Sequence, residues 1–167
     1  MPKLIIINGA PGIGKTTVAE LVFSKLKNSA FLDGDSVWRI NPFQVNERMK
    51  ALADKNIALI LRNYLEAGYQ YVILSWVLHE REIIDRLLRD LSDLDFEAQV
   101  FTLIAEEGAL LERVRSRDPS RKNLQLVRER LRQSLALETR KIDVTKLGPE
   151  EVAAEILAAV SCRLRRL

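Results

Sequence analysis

Apolar and polar positions follow one another in two periods along this chain. Leu4-Ile5-Ile6-Ile7, inside residues 3–8, is a short unbroken apolar run of the kind expected of a strand buried on both faces. A Gly/Pro turn follows, and then residues 16–27 carry apolar side chains at Val18, Leu21, Val22 and Leu26, a helical spacing. Ala30-Phe31-Leu32 predicts a second strand that ends at Asp33-Gly34-Asp35. Past Asn41-Pro42 a long helix is expected over residues 47–67, closed by Gly68 in the position after a helix end. Tyr71-Val72-Ile73-Leu74 reads as a third buried strand, residues 80–91 as a helix and residues 98–104 as a fourth strand. Helices are expected over about 106–115 and 124–137, either side of the Asp118-Pro119-Ser120 break, then a short strand over 142–145. Gly148-Pro149-Glu150-Glu151 opens a last helix, with proline in its first turn and acids facing the positive end of its dipole.

Strands alternating with helices predict an α/β fold: about five parallel strands in a three-layer α/β/α sandwich. At 167 residues the chain fits one domain, residues 1–167, at roughly 150 residues per domain. Hydrophobic residues make up 47% and charged residues 29%, which excludes disorder and low-complexity repeats as the overall state. A single cysteine, Cys162, cannot make an intrachain disulfide, and no charged-then-apolar leader opens the chain, so a cytoplasmic location is expected. No apolar run approaches the ~18 residues of a membrane helix, so no membrane partner is expected. Monomer and homodimer are equally compatible with the sequence.

The net charge of +3 is unevenly spread. Between Arg113 and Arg132 stand eight basic residues and two acidic ones, a window of +6, so the remainder sums to −3. A mildly acidic body with one concentrated cationic segment points to a localised anionic partner.

The most specific signal is Gly9-Ala10-Pro11-Gly12-Ile13-Gly14-Lys15-Thr16, which satisfies G-x-x-x-x-G-K-[ST] directly after a predicted strand and at the opening of a predicted helix. Its glycines let backbone N–H groups converge on phosphate oxygens, and the helix adds the positive end of its dipole. Lys15 is expected to reach the β- and γ-phosphates and the Thr16 hydroxyl to ligate Mg²⁺, with Thr17 completing the nucleotide contact.

With this loop in place, the chain resembles the small P-loop kinases of the P-loop nucleoside triphosphate hydrolase superfamily. That group includes shikimate kinase, gluconate kinase, adenylate kinase, adenylylsulfate kinase and chloramphenicol phosphotransferase. The likeness spans nearly the whole length, through Asp33-Gly34-Asp35 and Arg113-x-x-x-Arg117 to Asp143-Val144-Thr145 and Pro149-Glu150-Glu151-Val152. It implies ATP and Mg²⁺ as cofactors and a small-molecule hydroxyl as the phosphoryl acceptor.

Asp33 and Asp35 stand at the end of the second strand, where ligands collect in open α/β sheets. By the resemblance, Asp35 is the general base beside the acceptor hydroxyl and Asp33 supports Mg²⁺. The bland reading is that Asp35 caps a helix starting at Ser36. Trp38 stands where several members carry an arginine, and Arg39 follows. If this stretch is helical, Asp35, Trp38 and Arg39 share a face at i, i+3 and i+4. A tryptophan there favours a ring-shaped or apolar acceptor, although core packing is an equal explanation. The third strand ends in Leu74-Ser75-Trp76-Val77 with no carboxylate, which disfavours a motor-type or switch-type ATPase and increases the dependence on Asp33. Phe43, Trp76 and His79 complete the candidate acceptor pocket.

Phosphoryl transfer relies on positioned cations rather than covalent chemistry, and arginine is planar, permanently charged and bidentate toward phosphate. By the resemblance, Arg113 stacks near adenine and Arg117 touches ATP phosphates. A short lid is expected around residues 117–124, with Arg121 a candidate swinging finger. Arg128, Arg130 and Arg132 read as a solvated helix face. Two alternatives stand beside the small-molecule kinase: a polynucleotide 5′-hydroxyl kinase that uses the cationic segment as a strand track, and a non-catalytic nucleotide sensor or slow ATPase.

Overall fold

The computed structural model describes residues 1–117 and 123–161. The expected lid with Arg121, the lone Cys162 and the basic end of the chain lie outside the described residues. Five parallel strands, β1 (Lys3–Gly9), β2 (Ser29–Asp33), β3 (Tyr71–Ser75), β4 (Glu97–Ile104) and β5 (Arg140–Asp143), form one sheet in the order β2-β3-β1-β4-β5. The helices are α1 (Lys15–Lys25), α2 (Glu47–Glu66), α3 (Arg81–Asp90), α4 (Glu107–Arg117), α5 (Leu124–Ala136) and α6 (Pro149–Ser161). This is the three-layer α/β/α sandwich that the strand and helix alternation predicts.

The layers follow from the pleat of β1. Ile5 and Ile7 point into a core shared with Val18, Ala19 and Val22 of α1, Leu110 and Val114 of α4, and Val152 and Ile156 of α6. Leu4 and Ile6 point the other way, against Ile57 and Leu61 of α2 and Ile84, Leu87 and Leu91 around α3. All four β1 side chains are fully buried, so an alternating face would have been wrong for this strand and the unbroken apolar run is what both layers require. Gly68 follows α2 with φ +82°, the left-handed conformation expected of it.

Two of the differences from expectation have a local reason. The last strand ends at Asp143, two residues before the predicted Thr145, because the Asp143 carboxylate accepts from the Thr145 backbone N–H at 2.8 Å and turns the chain out of the sheet. Residues Gly34–Trp38 form a 3-10 helix, and its cap is Asp33, whose Oδ1 accepts from the Asp35 N–H at 3.0 Å. The cap reading of Asp35 is therefore corrected: the acid two residues earlier does that work.

One buried polar side chain binds the sheet to the loop after β3. Asn8, with no exposed surface, donates from Nδ2 to the Leu78 carbonyl at 2.9 Å and accepts at Oδ1 from the Leu78 N–H at 2.7 Å. Its amide also lies 3.3 Å from Thr102 Oγ1, which in turn shares a 2.6 Å hydrogen bond with Thr139 Oγ1. Trp76 N–H donates to the Ile7 carbonyl at 3.2 Å, so residues 76–78 are pinned to the end of β1 from two sides. Truncating Asn8 would strand both backbone groups of Leu78 away from water, at about 1–3 kcal/mol for each unpaired group. Asn8→Ala is expected to lower the unfolding free energy by about 2–4 kcal/mol, read from urea denaturation midpoints at unchanged m-value.

Candidate active site

All five strands run the same way, so their C-terminal ends open on one edge, and a cleft of about 890 Å³ lies there. Its floor begins with the turn after β1. Gly9 has φ +147°, and a Cβ on it would stand 2.7 Å from the Leu103 carbonyl oxygen, so neither the dihedral nor the space admits another residue. Ala10 and Ile13 are buried and anchor the turn in the core, while Pro11, Gly12, Gly14, Lys15, Thr16 and Thr17 face the cleft. Lys15 Nζ donates to the Ala10 carbonyl at 3.1 Å, folding the side chain back over the loop. No side chain caps α1 and no acid stands in its first turn, in contrast to α2 and α5, whose N-termini are capped by Asn46 and Asn123. An anion at the start of α1 would meet the positive end of the helix without a competing carboxylate from the helix's own first turn.

Thr16 and Asp33 come together here: the hydroxyl donates to Asp33 Oδ2 at 3.0 Å, while Oδ1 of the same carboxylate holds the 3-10 helix. Both are hard oxygen donors, the kind Mg²⁺ takes. Among the described residues no three His, Cys, Asp or Glu side chains gather into a metal site, so a divalent ion here would depend on phosphate oxygens for much of its coordination.

Asp35 and Trp38 also line the cleft. Arg39 does not. The 3-10 helix ends at Trp38, and with three residues per turn Asp35 and Trp38 eclipse while Arg39, exposed, leaves their face. The expected sharing of one face by Asp35, Trp38 and Arg39 is corrected accordingly. Opposite them, Trp76 packs so tightly on the turn that a Cβ on Gly34 would come within 2.4 Å of its Cγ. Phe43, Trp76 and His79 line the cleft as expected.

Arg117 faces the cleft from the end of α4. Arg113, one turn earlier, is turned away: its Nη2 donates to the Val144 and Thr145 carbonyls at 2.7 and 2.8 Å, tying α4 to the loop after β5. Arg128 pairs with Glu107 at 2.9 Å. Arg130, in contrast, lines the cleft with Nη1 on Gln133 Oε1 at 2.7 Å, so the reading of Arg130 as part of a solvated face is overturned. The half-buried His79 ring faces that arginine. Burial, and then the positive charge of Arg130, push the imidazole below its ordinary value, with Glu80 and Glu129 opposing weakly.

The sequence reading missed the far wall. Val45 and, from α2, Lys50 and Asp54 line it, with Ile83 and Arg86 of α3, and Asp54 and Arg86 form an ion pair of 2.8 Å between the two helices. The available signal was that Lys50 and Asp54, at i, i+4, continue the face of α2 that carries Ile57, Ala58, Leu61 and Leu65, so the buried face of the helix turns charged toward its N-terminus. Ser75 was noticed only as a missing carboxylate, yet it too lines the cleft.

The sequence profile of the AAA domain family matches residues 5–136, a span that holds the loop, Asp33-Gly34-Asp35, α4 and α5. Among solved structures, the tunicamycin resistance protein of Deinococcus radiodurans is similar with a TM-score of 0.76 and 25% identity, covering 98% of each chain. A gluconokinase from Sinorhizobium meliloti shares 19% identity with a TM-score of 0.73 over 96% of this chain and 92% of its own. The Mycobacterium tuberculosis adenylylsulfate (APS) kinase CysC, solved with AMPPNP and APS, shares 19% with a TM-score of 0.67 over 96% and 98%. No curated protein matches the sequence. The phosphate loop, the strand order and these likenesses agree: the chain belongs to the AAA domain family and has the fold of the small P-loop kinases.

Proposed function

We propose that this protein transfers the γ-phosphoryl group of Mg²⁺-ATP to a hydroxyl of a small, ring-bearing acceptor. The observation that carries this reading is that one cleft holds both the uncapped start of α1 with its phosphate loop and a carboxylate, Asp35, set among aromatic side chains. A nucleotide-only site has no use for the second half.

The loop from Gly9 to Thr17 takes the phosphates, and Lys15 with Arg117 neutralises charge on the group in flight. Thr16 and Asp33 would hold Mg²⁺, which when bound would draw negative charge away from the phosphates. Asp35 receives the acceptor's proton as its oxygen bonds to the γ-phosphorus and the bond to the ADP oxygen breaks. Trp38, Phe43 and Trp76 offer ring faces for stacking, and Val45 and Ile83 extend the apolar wall. His79 is a hydrogen-bonding contact for the acceptor, and Arg121 of the expected lid is a further cation for the transferring group.

Two features favour a compact acceptor over a nucleic-acid strand. Arg113 and Arg128 are spent on protein carbonyls and on Glu107. The cations that face the ligand are gathered around a cleft rather than strung along a surface track. No helix among the described residues is long and apolar enough to cross a membrane.

ATP consumption measured with and without a panel of hydroxyl compounds tests the reading directly. Acceptor-dependent turnover is expected, and consumption indifferent to every acceptor would reassign the protein as a slow ATPase. Lys15→Ala is expected to reduce turnover by roughly a thousandfold or more with an unchanged unfolding midpoint. Asp35→Asn should lower kcat far more than it weakens ATP binding, and equal losses would move Asp35 to the nucleotide side.

His79 supplies a pH signature. Its folded-state value lies below the 6.5 of a free imidazole, so on acidification the unfolded chain takes up a proton before the folded one does. Stability is therefore expected to fall as pH drops through 6.5 toward the depressed folded value, and His79→Gln should flatten that limb in urea titrations run from pH 7.5 to 5.

A further inference from the structure

Ser75 closes β3 at the edge of the cleft, and its hydroxyl takes no part in anything yet described. The residue is 1% exposed, and Oγ has no hydrogen-bond partner among the described residues. A buried hydroxyl left in that state costs about 1–3 kcal/mol. The parallel register places Ser75 directly beside Asp33 on one side and Ile7 on the other, two residues before the phosphate loop begins at Gly9. Asp33 in turn holds Thr16 at 3.0 Å. The unsatisfied hydroxyl therefore belongs to the phosphate end of the cleft, beside the two oxygen donors that suit a divalent ion.

We propose that the Ser75 hydroxyl anchors a water in the coordination shell of the nucleotide-bound Mg²⁺, a neutral substitute for a carboxylate at the end of this strand. This rests on the Mg²⁺-ATP reading above. Mg²⁺ dehydrates reluctantly and keeps several waters, each a strong donor that needs an acceptor around it. Asp33 has one oxygen on Thr16 and the other on the Asp35 N–H, so its capacity for further waters is limited. Ser75 Oγ has both lone pairs available to accept from such a water and one O–H to donate onward. Its neutrality has a consequence of its own. With a serine rather than a second acid beside Asp33 in the sheet register, the site would attract a free cation weakly, and the metal would arrive with the nucleotide, whose phosphates supply the missing charge.

The test is calorimetric titration of ADP in EDTA and in excess Mg²⁺, for the wild-type protein, Ser75→Ala and Ser75→Thr, beside their thermal midpoints without ligand. Wild type should gain affinity from Mg²⁺. Ser75→Ala should bind ADP in EDTA within about twofold of wild type, lose roughly 3- to 10-fold of the Mg²⁺-dependent gain, and keep or raise its midpoint, since it removes a hydroxyl with no protein partner. Ser75→Thr, which keeps the hydroxyl, should keep the gain. A full Mg²⁺-dependent gain in Ser75→Ala overturns the proposal, as does an equal loss in EDTA, which would put the hydroxyl on the nucleotide itself. A lowered ligand-free midpoint would make Ser75 a structural residue and overturn it too. An absent Mg²⁺ gain in wild type would overturn the Mg²⁺-ATP reading together with this one.

Discussion

The two-point hydrogen bond between the Asn8 amide and the backbone of Leu78 sets the distance between the halves of the cleft. Asn8 is the last residue before the phosphate loop, and Leu78 lies between Trp76 and His79. Any shift of the loop relative to the acceptor wall would have to break a donor and an acceptor with no water to replace them. An apolar residue at position 8 would satisfy the packing of β1 equally well but would leave residues 76–79 to find their own place. The polar side chain in the fully buried sheet gives up some burial energy and fixes a geometry, which matters because in-line transfer requires the reacting oxygen within about 3–3.5 Å of phosphorus.

A similar economy governs the cationic segment. Seen as a window of +6 it suggests one anion-binding surface, yet its members divide among different tasks. Arg113 holds the loop after β5 by two carbonyls, and Arg128 bridges α5 to α4 through Glu107. Arg117 and Arg130 face the cleft from opposite helices. Guanidinium groups suit both roles, because the planar fork that clamps phosphate also clamps two backbone oxygens. Counting charge along the chain located the nucleotide end of the molecule but not which arginines serve it.

The fold was legible because its signals are local. Apolar runs, helical spacing and a loop motif with its strand and helix each depend on residues within one element, and the parallel sheet then follows from their alternation. The nucleotide half of the site was legible for the same reason, since eight consecutive residues carry it. The acceptor half was not. Its wall is assembled from β2, the 3-10 helix, α2, β3 and α3, and the contributions of Lys50, Asp54 and Arg86 arise only when α2 and α3 pack on the same face of the sheet. The misplaced Arg39 shows how sensitive such inference is to helix type: the step from 3.6 to 3.0 residues per turn, about one-fifth of a turn accumulated over four residues, removes it from the face of Asp35. Arg130 failed in the opposite sense, looking solvated by its neighbours in sequence although α5 turns it toward His79.

The uneven chemistry of the cleft gives a physical account of selectivity. At one end the loop, Thr16 and Asp33 are polar groups tied to one another, so the site exists before the nucleotide arrives. At the other, Phe43 and Val45 remain 65% and 62% exposed at the cleft, a cost in water that only an apolar ligand face relieves. Covering one such side chain fully is worth about 1.5–3 kcal/mol, enough for a ten- to hundredfold preference. Trp76 cannot retreat, because Gly34 already touches its ring, and the Asp54–Arg86 pair holds α2 against α3 behind it. A polar acceptor could reach Asp35 but would leave Phe43 and Val45 wet, whereas a ring with an apolar face would cover them while presenting its hydroxyl to the carboxylate. In the proposed reaction, discrimination on this side of the molecule would thus come from hydrophobic burial, and reactivity from the charges held across the cleft.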